Sequence, residues 1–193
     1  MDALRAGEAV VYPTETFYAL GVDALSQAAL KWLFEIKVRE PGKPVALIAS
    51  DAAMAFGVAR EVPSEARILA EAFWPGPLTL VLPARDGIDE ALINADGGVG
   101  IRVSPHPVAR ALAAGLGRPL TATSANRSGE PPAAELAQAR GALGANVKVY
   151  LDGGRLAGGA PSTVVVAGPG GIRIVRAGAV SESDIAAALD RTR

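Results

Sequence analysis

Hydrophobic residues come in short runs along this chain, and the stretches between them follow a different rhythm. Residues 9–12, 45–49, 78–82, 99–103, 119–122, 147–151, 162–166 and 172–175 are brief and mostly apolar, which predicts strands. Residues 26–37 have a longer period. Leu30, Leu33, Phe34 and Lys37 stand at i, i+3, i+4 and i+7, three apolar positions and a lysine on one helical face, with Ser26 placed to cap the start. Helices are also predicted over 3–6, 51–57, 63–73, 107–116, 133–142 and 182–189, the last capped by Ser181. Pro13 stops the first strand; 17–21 reads as a turn of helix or a tight loop, and 123–129 as polar loop. Helices and strands alternate at first, and strands cluster later. The expected fold class is α/β: an open, twisted, mixed sheet of about seven strands flanked by helices. No repeat or low-complexity linker divides residues 1–193, so one domain is expected.

Composition narrows the chemistry. Half of the 193 residues are hydrophobic and 20% are charged, which describes a folded chain with a sizeable core. Net charge is −1, so the chain as a whole is no polybasic binder of nucleic acid or membrane, and an anion site must be local. With no cysteine and a single histidine, His106, neither a disulfide framework nor a thiolate or multi-histidine zinc site can be built. His106 lies between two prolines just before a predicted helix, where capping or plain exposure is expected. The N-terminus does not read as a signal peptide, and no apolar run approaches the ~20 residues of a membrane-spanning helix; a cytoplasmic protein is expected.

Positive charge is concentrated in one place. Of four lysines, Lys37 and Lys43 fall within IKVREPGKPVALI at 36–48, with Arg39 between them and a strand immediately after. A solvated loop would account for such charges, but an anion clamp for nucleotide phosphates would account for them too. The familiar glycine-rich signatures do not decide it: there is no GxxxxGK[ST], and the glycines at 168–171 lack dinucleotide spacing. Polar clusters nevertheless stand at strand ends. Thr14, Glu15 and Thr16 follow the first strand; Thr121, Thr123, Ser124 and Asn126 follow another; Ser162 and Thr163 open a third; Arg102 and Arg176 sit on or at the end of strands. Ligands of open α/β sheets bind beyond strand ends, so these residues describe one mouth of hydroxyl, amide and cationic groups suited to anionic oxygen.

Seven stretches then carry a resemblance: PTETFYALG at 13–21, IKVREPGKPVAL at 36–47, WPGPLTLVL at 74–82, VGIRVSPHP at 99–107, TSANRSGEPP at 123–132, STVV at 162–165 and IVRAGA at 174–179. In this order they resemble the YrdC-like family over nearly the whole chain, in its short, single-domain form. The resemblance implies a threonylcarbamoyl-AMP synthase activity: L-threonine, bicarbonate or CO2 and ATP give threonylcarbamoyl-adenylate and pyrophosphate, for threonylcarbamoyladenosine in tRNA. By the same resemblance, Lys37, Arg39 and Lys43 hold the ATP phosphates and carry catalysis, while Gly98, Ser124, Asn126 and Arg176 also contact ATP. Thr16, Arg102 and Ser162 surround threonine, with Arg102 clamping its carboxylate. Mg2+ is expected to arrive with ATP and not in a protein cage. Expected partners are tRNA, through a possible direct contact, and downstream threonylcarbamoyl-transfer proteins. Departures from the family pattern are Ile48 in place of a histidine near the amino acid, Ala19, Ala177 and Val166. Residues 157–161 are a lid candidate by composition. The competing reading is a non-catalytic module that binds tRNA or double-stranded RNA.

Overall fold

The computed structural model describes residues 1–37, 44–168 and 170–191. Its elements in chain order are α1 (Asp2–Arg5), β1 (Val10–Pro13), β2 (Tyr18–Gly21), α2 (Gln27–Lys37), β3 (Ala46–Ala49), α3 (Ala52–Phe56), α4 (Ser64–Phe73), β4 (Leu78–Pro83), β5 (Gly98–Val103), α5 (Pro107–Leu116), β6 (Leu120–Ser124), α6 (Leu136–Leu143), β7 (Val149–Tyr150), β8 (Thr163–Gly168), β9 (Gly171–Arg176) and α7 (Glu182–Asp190). All nine strands lie in one sheet, ordered β7-β1-β2-β6-β3-β5-β4-β8-β9. The pairs β1/β7, β3/β5 and β4/β8 are parallel and the others antiparallel, so the sheet is mixed, as expected.

The sheet has nine strands where about seven were expected, and the clearest correction is β2. Residues 17–21 show no period that separates a helical turn from a strand. Tertiary pairing decides it: β2 lies between β1 and β6, antiparallel to both, and all four of its residues are buried. Gly21 fits because a Cβ there would lie 2.5 Å from the Thr121 carbonyl oxygen. Another correction is β6, which runs on through Thr123 and Ser124, assigned to loop from their polarity; Ala19 and Leu20 of β2 pair with them. Helix α6 begins at Leu136, not at 133, because the Gln138 side-chain oxygen accepts from the backbone N–H of Glu135 and fixes the start there. The expected caps hold: Ser26 accepts from Ala29 N, Ser181 from Asp184 N, and His106 Nδ1 from Val108 N at 3.2 Å.

The two faces of the sheet are covered unequally. On the first, Val11, Leu20, Leu47, Leu80, Ile101 and Val165 pack with Leu30 and Leu33 of α2, Ala55 of α3, Leu69 of α4, Leu143 of α6 and Ile185 of α7. Each fully buried leucine or valine contributes roughly 1.5–3 kcal/mol, which makes this the main core. On the second face, Val10, Tyr12, Ala19, Ile48 and Leu120 pack with Leu4 of α1 and Ala109 and Ala113 of α5, with Met54 of α3 and Leu112 and Leu116 of α5 at the margin. Those helices cover part of the second face, and the site lies on the remainder. No helix among the described residues is long and apolar enough to cross a membrane.

Candidate active site

Alternation along a strand sends every second side chain to the same face. On the uncovered part of the second face those positions are small: Ala46 of β3, Gly98 and Gly100 of β5, and Ala122 of β6, with Thr79 and Val81 of β4 and Val164 of β8. Register brings Ala46 opposite Ala122 and Gly100 opposite Val81. A Cβ on Gly100 would stand 3.5 Å from Thr79 Cγ2 and 4.0 Å from Ala46 Cβ, so its missing side chain is part of the hollow. The result is a cleft of two lobes that share Ala46, Thr79 and Arg176. One, of about 210 Å³, reaches Thr14, Glu15, Thr16, Arg102, Ser124, Pro161 and Ser162. The other, of about 160 Å³, reaches Pro44, Asn94 and Gly98.

Two guanidinium groups meet this cleft. Arg102 is only 8% exposed and pairs with Glu15, whose other carboxylate oxygen accepts from Ser104 Oγ at 2.7 Å. Arg176 closes β9 and donates to the Ser162 carbonyl from Nε at 3.2 Å and Nη2 at 2.7 Å; Nη2 also donates to Ser162 Oγ at 3.1 Å. Ser162 Oγ and Thr79 Oγ1 lie 2.8 Å apart. Burial, and then the like charge of Arg102, hold Arg176 below the usual guanidinium range. Two cations brought this close favour any anion that enters between them. Beneath them Tyr12 is wholly buried and donates to the Thr121 carbonyl at 2.9 Å. Burial pushes its phenol well above the ordinary range, so it stays neutral.

The rim is fixed by local bonds. Thr14 Oγ1 donates to the Phe17 carbonyl at 2.7 Å and accepts from the backbone N–H groups of Thr16 and Phe17, which presents Thr16 to the cleft. Segment 157–161, the lid candidate, runs beside it: Gly158 N donates to the Thr16 carbonyl at 3.0 Å, and Pro161 lines the first lobe. Asn94 Oδ1 accepts from Gly98 N at 2.7 Å and positions the strand start in the second lobe.

Lys37 closes α2 next to the 124–130 segment. It is 6% exposed, and its Nζ donates to the carbonyls of Ser124 and Asn126 at 2.8 and 2.5 Å and to Asn126 Oδ1 at 2.9 Å. Ser124 Oγ in turn donates to Asn126 Oδ1 at 2.6 Å, and Asn126 Nδ2 to the Glu130 carbonyl. Lys37 thus fastens the end of α2 to the 124–130 segment. Neither Lys37 nor Asn126 lines the two lobes; both bond to Ser124, which lines the first. Arg39 and Lys43 lie outside the described residues. Thr16, Gly98, Arg102, Ser124, Ser162 and Arg176, by contrast, converge on the cleft. Ile48 points under α5 on the covered part, fully buried. Sequence reading passed over Thr79, Asn94 and Ser104; a threonine in the middle of the apolar run LTLVL was the available signal for Thr79.

A mixed α/β sheet whose exposed face bears a cationic, hydroxyl-lined cleft on small residues defines a binder of a small anionic ligand. Known proteins place it further. The Sua5/YciO/YrdC family model, described as "Telomere recombination", matches residues 2–178, and the chain belongs to that family. A Mycobacterium tuberculosis protein, provisionally named a threonylcarbamoyl-AMP synthase, is 39% identical over 189 residues, covering 98% of this chain and 87% of its own. The threonylcarbamoyl-AMP synthase of Alkalilimnicola ehrlichii is 40% identical over 149 residues, 77% of each chain. Among solved structures, Pyrococcus abyssi Sua5 complexed with L-threonine superposes with a TM-score of 0.91 at 32% identity. That alignment covers 97% of this chain and 55% of the other, so this chain spans about half the length of the archaeal protein.

Proposed function

We infer that the chain is a threonylcarbamoyl-AMP synthase, an enzyme that uses ATP as a substrate in a nucleotidyl-transfer reaction. The observation that carries this reading is the pair Arg102 and Arg176 turned into one cleft whose floor is pared down to alanine and glycine. In the reading, L-threonine enters the first lobe with its carboxylate on Arg102 and its surroundings formed by Thr16 and Ser162. ATP reaches from the first lobe, where Ser124 and Arg176 stand with Asn126 bonded to Ser124, into the second past Gly98, with Lys37, Arg39 and Lys43 supplying positive charge to its phosphates. Lys37 contributes as a fastener of the 124–130 segment, on the bonds it makes there.

The chemistry asks for positioning and charge neutralisation. Threonine's amine captures CO2 to give a carbamate, and a carbamate oxygen attacks the α-phosphorus as pyrophosphate departs in line. The nucleophile is already an anion, so cations, hydroxyls and amides are the fitting kit. Among the described residues no group of three or more His, Cys, Asp or Glu side chains could hold a metal ion, and the cleft's polar groups suit phosphate and hydroxyl oxygens. In this reading Mg2+ would be carried by ATP phosphates and water. The chain works as one domain in the cytoplasm, and its adenylate passes to proteins that transfer the threonylcarbamoyl group to tRNA, which it can itself contact.

The test supplies ATP, L-threonine and bicarbonate singly and together and measures pyrophosphate and the adenylate. Pyrophosphate release that needs all three substrates is expected. RNA affinity that falls steeply with salt, with no turnover, would instead make this a non-catalytic RNA-binding module.

A further inference from the structure

The cleft has two cations and one anion, and the anion has no task in the reaction just described. Glu15 is the carboxylate among the described residues lining either lobe. It projects from the loop between β1 and β2 toward β5, where Arg102 pairs with one oxygen and Ser104 Oγ donates to the other at 2.7 Å. Ser104 also accepts from His106 N at 3.1 Å, so the bond that orients Glu15 is itself held by the turn into α5. A carboxylate offers about four acceptor sites, and Arg102 and Ser104 occupy one each.

An α-amino acid is a zwitterion. A cleft lined only by Arg102 and Arg176 would attract its carboxylate and repel its ammonium. Placing a negative group beside the positive one turns the site into a complement of both charges. We propose that Glu15 is the receptor for the α-ammonium group of the amino-acid substrate, and that with Arg102 it selects α-amino acids against acids lacking the amine. This rests on the synthase reading above.

The experiment measures binding of L-threonine and of its 2-hydroxy analogue, 2,3-dihydroxybutanoate, by calorimetry to the full chain and to Glu15→Gln. The amide keeps the shape of the carboxylate and an oxygen for Ser104, but not the charge. The wild-type protein is expected to prefer threonine by at least about tenfold, the size of one charge-assisted contact. Glu15→Gln is expected to erase that preference by weakening threonine and leaving the analogue unchanged or tighter. If both ligands weaken equally, Glu15 merely braces Arg102 and the proposal fails. It fails too if the preference survives the substitution, or if the wild-type protein binds both acids alike; the latter reading needs no variant to fold. Adenylate formation by the wild-type protein is followed alongside: its absence, with no threonine binding, brings down the synthase reading first. Adenylate formation with an unchanged preference overturns only the role of Glu15.

Discussion

The covered and the open parts of the sheet's second face are built from the same strands, two residues apart. On β6, Leu120 sits under α5 and Ala122 lines the cleft; on β3, Ile48 is covered and Ala46 is open. The register Ala46–Ala122 and Ile48–Leu120 makes each pair neighbours on the sheet. Backbone hydrogen bonding is shared between the two parts. What differs is side-chain volume and the presence of a helix, so the site exists because the floor stops two residues short of being core. Large side chains at 48 and 120 give α5 something to pack on; small ones at 46, 100 and 122 leave room for a ligand that no helix can fill.

Substitutions at neighbouring positions should therefore have opposite consequences. Leu120→Ala, on the covered part, is expected to cost about 2–5 kcal/mol of folding stability, read by denaturant unfolding. The folded fraction should keep its turnover, because no reacting group touches that position. Ala122→Leu is expected to do the reverse. The added volume enters the cleft, so turnover should fall at least about a hundredfold, equivalent to about 2.7 kcal/mol, while the unfolding midpoint changes little. If Ala122→Leu unfolds the protein, or if Leu120→Ala abolishes turnover in molecules that remain folded, the division between core and floor is wrong.

This division was only partly legible in the sequence. Strands such as 99–103 announce themselves by β-favouring apolar runs, and the capping roles of Ser26, His106 and Ser181 follow from local chemistry that no tertiary contact overrides. Strand β2 was not legible because Tyr18–Gly21 is too short to show a period, and its identity is settled by partners on both sides. Thr123 and Ser124 looked like loop because polarity at a strand end resembles polarity in a turn. Polar clusters at strand ends singled out Thr16, Arg102, Ser124, Ser162 and Arg176, the family resemblance added Gly98, and the fold brings all six to one cleft. The sequence could not say that Lys37 would spend its ammonium on the carbonyls of Ser124 and Asn126, 87 and 89 residues away. Nor could it pair Glu15 with Arg102 across a similar separation. Alternation puts Ala46 on one strand phase with Ile48, and Ala122 with Leu120, but nothing local says which member of each pair a helix covers.

The smallest expected effect lies at the seam between the two parts. His106 caps α5, the covering helix, and its backbone N–H holds Ser104, which in turn holds Glu15 in the cleft. Burial lowers the affinity of its imidazole for a proton, and the Glu15 carboxylate opposes that shift without cancelling it. The folded-state pKa therefore lies below the ordinary value of 6.5. As pH falls through 6.5, the unfolded chain takes up a proton before the folded one does, so stability declines until the folded pKa has also been passed. Protonation at Nδ1 would also remove the acceptor that caps Val108, a contact typically worth about 1 kcal/mol. Because the chain has a single histidine, its imidazole resonances can be followed in isolation by NMR. A titration midpoint below 6.5 is expected in the wild-type protein, with a further fall in Glu15→Gln, where the opposing charge is gone. His106→Asn, which keeps a capping oxygen, should show a smaller loss of thermal stability between pH 7.5 and pH 5.5 than the wild-type protein. A midpoint at or above 6.5, unmoved by Glu15→Gln, would mean that the cleft and the covering helix do not communicate through this turn.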